Sequence, residues 1–391
     1  MLQEHVFCNA AIEPGALVST HRYAIPVEQT KWELPDTTSH VQFNWEYDEG
    51  RDRLLNLYDK GKQKQWDAAE RIDWSIDIDP DDVSMMPDEY VPIHGSPLWD
   101  KLDRAEKNNV RRHMFSWLTS QFLHGEQGAL ICSAKIVETV PEMDSKFYAA
   151  TQVMDEARHV EAYARLLNEK IDLAYPINVH LKTLLDQTIS DTRWDFTYLG
   201  MQVMIEGVAL AAFSMIRDFT KEPLSRSVNA YVMQDEARHV AFGRLALKDA
   251  YADLTEAERD EREEFVIEAS YLLRDRFLAE EVWGNLGFDV AETVGYVDQA
   301  QIYSFYRKAL FSRVVPCVKD IGLWGPRVQK AFIDLGVMDF QDTNLEELWE
   351  SDSRIADDLE AEIAAMKANG HGSGEDSRGA QIAETIAAAT D

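Results

Sequence analysis

The hexapeptide Asp155-Glu156-Ala157-Arg158-His159-Val160 recurs letter for letter at Asp235-Glu236-Ala237-Arg238-His239-Val240. In each copy the glutamate stands thirty residues after another glutamate set in an apolar run, Glu126 for the first and Glu206 for the second. One constant offset of eighty residues (235 minus 155, 206 minus 126) therefore relates four carboxylates and two imidazoles. Residues three apart share one face of an α-helix, about a turn from each other. Glu156 with His159, and Glu236 with His239, can thus each grip one cation. Carboxylates can bridge two cations, and Glu126 and Glu206 arrive from two further helices. This is the ligand set of a dinuclear metal centre inside a four-helix bundle. Six oxygen and nitrogen donors without a thiolate favour iron or manganese over structural zinc.

A metal-bound histidine usually donates its other N–H to a carboxylate. Each hexapeptide carries an aspartate just before its glutamate. The repeat therefore predicts that Asp155 supports His239 and Asp235 supports His159 across the bundle, with Arg158 and Arg238 neutralising the two aspartates. The competing explanation is a duplication that kept a metal-free polar network. Four buried carboxylates without a cation would repel one another severely, which favours the metal.

Positioning such residues requires four long helices. The apolar spacing predicts them at about 98–139, 141–171, 190–220 and 222–252, with a shorter helix around 176–190. Pro141 and Pro223 fall near helix starts, where a missing backbone donor costs little. Further helices are expected at about 254–284, 290–320, 324–335 and 343–368, and an earlier one within 53–69; residues 73–80 read as extended. Strand alternation is nearly absent, so the fold class is all-α, a four-helix bundle with flanking helices. The divisions expected are a mixed lead-in over 1–97, the bundle over 98–252, bracing helices over 253–368 and a Gly-rich flexible tail over 369–391.

The net charge is 39 minus 70, or −31. So acidic a chain repels phosphate backbones and anionic lipid, which disfavours nucleic-acid and membrane-surface partners. Tyr198–Ile216 is long enough to span a bilayer, but its one charge, Glu206, fits a buried metal ligand better than a membrane interior. Three widely spaced cysteines suit a reducing compartment. The first residues lack the order of a signal peptide, and the chain is expected to be cytoplasmic. No Gly-x-Gly-x-x-Gly, phosphate-binding loop or cysteine cluster suggests a nucleotide, flavin or iron–sulfur module.

Over about residues 105–250 the chain resembles the ferritin-like di-iron carboxylate superfamily, in its ribonucleotide-reductase-like branch of oxygenases and oxidases. The resemblance places the metal ligands on Glu126, Glu156, His159, Glu206, Glu236 and His239. It implies two iron ions, or a mixed manganese–iron pair, that activate O₂ with electrons from a separate ferredoxin or flavin reductase. The implied reaction hydroxylates, epoxidises, N-oxygenates or desaturates a small organic substrate, and a homodimer is one assembly the reading allows. Thr119, Phe122, Gln152, Gln202, Val203, Phe213 and Met233 lie one turn from a ligand and are candidates for pocket walls or plain core. Trp66 and Trp74 read as packing aromatics. The chain departs from arylamine N-oxygenases, which carry an extra histidine one turn before the ligand at 236; here position 232 is valine. The alternative is a radical-generating subunit similar to the small subunit of ribonucleotide reductase. Tyr163 would then hold the radical, although its repeat partner is Gly243 and the tail has no aromatic relay residue.

Overall fold

The computed structural model describes residues 41, 51–79 and 85–368. Most of residues 1–50, and the tail expected over 369–391, lie outside the described residues. Every regular element among the described residues is helical. Helix α1 is Asp52–Gln63, α2 Arg104–Thr139, α3 Met143–Arg165, α4 Val179–Ser190, α5 Glu206–Phe219, α6 Pro223–Ala250, α7 Glu256–Asp275 and α8 Leu345–Ala368.

Local chemistry sets the ends of the bundle helices. Asp103 caps α2 in a reciprocal capping box with Glu106, which satisfies two orphan backbone donors. That cap breaks the expected 98–139 helix in two, leaving Pro97–Lys101 as a separate turn. Glu222 caps α6, with Pro223 at its first position, where no backbone donor is needed. Helices α2 and α3 pack side by side, as do α5 and α6, while α1 lies across α3 and α6 and α8 covers α6.

Two bundle helices depart from regular α geometry. Helix α3 ends in a π-helical turn, Leu166–Ile171. Helix α5 is entered through Trp194–Tyr198 and a π-helical stretch, Leu199–Ile205. The unbroken helices expected over 141–171 and 190–220 are corrected accordingly. The expected helix over 290–320 is three pieces, Val290–Gln299, Gln301–Ala309 and Val314–Asp320. Pro316 explains the last break, because it sits in a first turn, where the missing N–H would have no intrahelical partner anyway. Within 53–69 the chain leaves its helix at Gln63 and re-forms one only at Ala68–Arg71.

The apolar stretch Trp194–Phe219 is long and apolar enough to cross a membrane by length and composition, with a mean hydropathy of 1.7. In the fold 83% of that window is buried, so its apolar side chains are covered by neighbouring helices.

Candidate metal centre

The π stretch ends at Ile205, and Glu206 is the next residue. A π turn inserts one residue into an α-helix and shifts the phase of everything after it; such turns concentrate at functional sites. Two glycines make this one possible. A Cβ on Gly243 would stand 2.4 Å from Gln202 Cβ, and one on Gly200 would stand 2.3 Å from Thr188 Oγ1. Gly243 thus lets α6 pass against the widened turn. Gly243→Ala is expected to cost about 1–3 kcal/mol as overpacking of a filled core and to shift Glu206. Chemical denaturation together with metal content would check both effects.

Glu126 comes from α2, Glu156 and His159 from α3, Glu206 from α5, and Glu236 and His239 from α6. None of the six is more than 5% exposed. His159 Nδ1 lies 3.2 Å from Glu126 Oε2, 3.4 Å from Glu156 Oε2 and 3.1 Å from Glu236 Oε1. His239 Nδ1 lies 3.1 Å from Glu156 Oε1 and 3.3 Å from Glu236 Oε2. Two overlapping clusters result, each with donor atoms within 4.8 Å of one another: Glu126, Glu156, His159 and Glu236, and then Glu156, Glu206 and His239. Glu156 is common to both.

Several of these atoms have no hydrogen-bond partner among the described residues, although they are buried: Glu156 Oε2, Glu206 Oε2, both oxygens of Glu236, and His239 Nδ1. Buried polar atoms are rarely left orphaned. Here they are lone-pair donors facing one hollow, the arrangement that cations would satisfy. The donor set fits two hard-to-borderline cations such as iron or manganese.

The charges tell the same story. Burial, reinforced by nearby Glu236, pushes the Glu126 and Glu206 carboxyls well above the usual carboxylate range. Burial opposes protonation of the imidazoles, yet the carboxylates around them, led by Glu126 for His159 and Glu236 for His239, hold both well above the ordinary value. Burial also works to raise Glu156, and the two imidazoles overcome it. Protons therefore neutralise the cluster when no other cation does. Metal ions compete with those protons, so metal uptake releases protons and weakens in acid.

Behind the imidazoles stands a second layer. His159 Nε2 is 3.1 Å from Asp235 Oδ2, and His239 Nε2 is 3.3 Å from Asp155 Oδ2. Arg158 donates to Asp155 and Asp235 at 2.5 and 2.8 Å, and Arg238 to Asp235 and Asp155 at 2.5 and 3.4 Å. The aspartates fix each ring so that Nδ1 faces the hollow. Sequence reasoning missed two members of this layer. Trp66 Nε1 donates to Asp235 Oδ2 at 2.8 Å, and Gln65 Nε2 to Asp155 Oδ1 at 2.7 Å. The indole read as packing is hydrogen-bonded to the aspartate behind His159, across 169 residues of sequence that carry no signal of the contact. Trp74, by contrast, satisfies its N–H on the Ala68 carbonyl.

Tyr163 is fully buried and its hydroxyl donates to Asn229 Oδ1 at 3.1 Å. Its ring stacks on Phe213, and Phe122 leans on both. Gln152 Nε2 donates at 2.9 Å to both Glu156 Oε1 and Glu206 Oε1. Thr119 returns its hydroxyl to the Phe115 carbonyl, and Val203 and Met233 are wholly buried. A separate cleft of about 190 Å³ includes Leu57, Leu210, Ala237, Val240 and Trp349 in its walls and contains none of the six candidate ligands.

A family model described as P-aminobenzoate N-oxygenase AurF matches residues 48–322, well over half of the 391. No curated protein matches the chain. Among solved structures, a variant R2-like ligand-binding oxidase with an anaerobically reconstituted Mn/Fe cofactor is 18% identical, with a TM-score of 0.43 over 72% of this chain and 96% of its own. An aerobically reconstituted variant of that oxidase gives the same identity, TM-score and coverage, and a further anaerobically reconstituted one reaches a TM-score of 0.44.

Proposed function

The chain belongs to the P-aminobenzoate N-oxygenase AurF family, and from that membership we propose that Glu126, Glu156, His159, Glu206, Glu236 and His239 hold the two metal ions of its reaction. It is a ferritin-like, non-haem di-iron enzyme that oxidises with O₂. The departure at Val232 therefore does not set it outside the N-oxygenases, as sequence reasoning had suggested; it marks a difference within the family. The observation that carries the ligand assignment is the set of orphaned buried donors on Glu156, Glu206, Glu236 and His239, all turned to one hollow.

When bound, the metal pair would supply the redox chemistry that activates O₂. The chain's own residues do the rest. Four carboxylates offset the cationic charge and, by changing how many oxygens they offer, open positions beside it. Asp155 and Asp235 hold the imidazole rings in one tautomer and orientation. Arg158 and Arg238 pair with those aspartates in the core. Phe122, Val203 and Phe213 give the substrate an apolar setting that excludes water.

Among hydroxylation, epoxidation, N-oxygenation and desaturation, the family's description favours N-oxygenation of a small amine. In balance, an amine, O₂, two electrons and two protons give a hydroxylamine and water. The two electrons come from a separate donor, a ferredoxin or flavin reductase, since the sequence carries no motif for such a module. Free, buried Cys132 and Cys317 suit a reducing cytoplasm. We propose residues 98–252 as the catalytic bundle, 253–368 as its brace, and a homodimer as the assembly. The test is single turnover: the iron-loaded, chemically reduced protein is mixed with O₂ and aryl- or alkylamines, and products are read by mass. A gain of one oxygen from ¹⁸O₂ on nitrogen supports the reading. Oxygen consumption with every amine left unchanged would overturn N-oxygenation.

A further inference from the structure

The eighty-residue repeat makes the bundle pseudo-symmetric, yet the residues around the centre are not. Phe122, Tyr163 and Phe213 touch one another on one flank. The positions related to them by the repeat are Gln202, Gly243 and Ser133. Gln202 and Gly243 are again in contact, so the same geometry holds an aromatic cluster on one flank and small or polar residues on the other. A fourth pair follows the same division. Gln152 lies one turn before Glu156, and its repeat partner one turn before Glu236 is Val232.

Gln152 is fully buried. Its two amide hydrogens are spent on Glu156 Oε1 and Glu206 Oε1, and Gln202 Nε2 approaches its carbonyl at 3.5 Å. Each of these glutamates thereby has one oxygen tied down and one, Oε2, turned to the hollow without a partner. Glu236 has no such tether: its oxygens make no hydrogen bond among the described residues and face only the imidazole Nδ1 atoms of His159 and His239, at 3.1 and 3.3 Å, and the Val232 side chain has no polar hydrogen to donate. We propose that Gln152 makes the two cation positions unequal, fixing the position formed by Glu156, Glu206 and His239 and leaving that of Glu126, Glu156, His159 and Glu236 free to rearrange. Gln152 is then a positioning residue. A carboxylate held through one oxygen by an amide is fixed in orientation and is slow to change its mode of binding. The untethered Glu236 can offer one or both.

This inference rests on the ligand assignment above, and the experiment separates the two. Co²⁺ is titrated into the full-length apoprotein, with binding followed by calorimetry and by the visible absorption of the bound ion. Loss of an outer hydrogen-bond partner typically weakens metal binding about 10–100-fold. Gln152→Leu is expected to weaken one of the two Co²⁺ ions by that factor, to alter that ion's absorption band, and to weaken the other less, because Glu156 belongs to both donor sets. In a Glu206→Ala background, where only the bond to Glu156 remains to be lost, the effect is smaller; in Glu126→Ala it keeps its full size. Gln152→Met, which retains the length of the side chain, gives the same pattern should leucine disturb the packing. Equal weakening of both ions, or an effect that persists undiminished in Glu206→Ala, would overturn the role of Gln152. If Glu126→Ala and Glu206→Ala each still bound two ions as tightly as the parent, the ligand assignment itself would fall.

Discussion

Glu156→Ala and Glu236→Ala are each expected to abolish stable binding of the metal pair. Glu156 belongs to both donor clusters, and Glu236 approaches both imidazoles, at 3.1 and 3.3 Å. Losing either removes a donor that two cations would share. The loss should exceed the roughly 100-fold upper range seen when only an outer partner is removed. In the apoprotein the two imidazoles hold the Glu156 carboxyl below the usual carboxylate range against the effect of burial, so Glu156→Ala also removes a favourable pairing and should lower the stability of the apoprotein. Iron content after reconstitution and gel filtration should fall from two per chain to at most one in either variant. Full metal content in both variants would sink the assignment.

Asp235→Ala should damage the fold as well as the centre. Asp235 is fully buried and receives hydrogen bonds from Arg158, Arg238, Trp66 and His159. Removing it leaves the buried guanidinium groups of Arg158 and Arg238 to share a single carboxylate, Asp155, and breaking a buried pair from one side costs about 3–5 kcal/mol. That is a large part of the 5–15 kcal/mol that typically holds a domain together. The pH dependence follows from the same contacts. Burial opposes ionisation of Asp235, but Arg238, His159 and Arg158 depress its pKa well below the ordinary value. A depressed folded-state pKa means the contribution is fully present above about pH 4 and is lost as pH falls through the folded value. At neutral pH the variant should therefore show the whole loss. Urea unfolding of apoprotein and variant measures it; a difference under about 1 kcal/mol, within the range of a surface pair, would contradict the network described here.

What could be read from the sequence was whatever repeats or lies within one helical turn. The six candidate ligands stand out because Glu-x-x-His is a local pattern, doubled with a fixed offset. The crosswise contacts of Asp155 and Asp235 follow from the same hexapeptide. Trp66 and Gln65 could not be found this way, since they reach the aspartates from the non-helical segment after α1 through folding alone. The π stretch before Glu206 was equally hidden: an inserted residue leaves an apolar run apolar, so periodicity reports an unbroken helix. Gly243 was visible as a break in the repeat, but its purpose is clear only beside Gln202. Gln152 had the right place, one turn from Glu156, yet nothing local shows that its amide also spans to Glu206 on another helix. Of the two breaks in the 290–320 segment, Pro316 accounts only for the last, since a proline suits the first turn of a helix.

The most direct measurement is a crystal structure of the iron-loaded protein with anomalous scattering recorded at the iron edge. Two peaks about 3.5–4 Å apart, as in other paired-metal sites, are expected between the facing carboxylates and the Nδ1 atoms of His159 and His239. A hollow without anomalous signal, or iron bound by other side chains, would contradict the account.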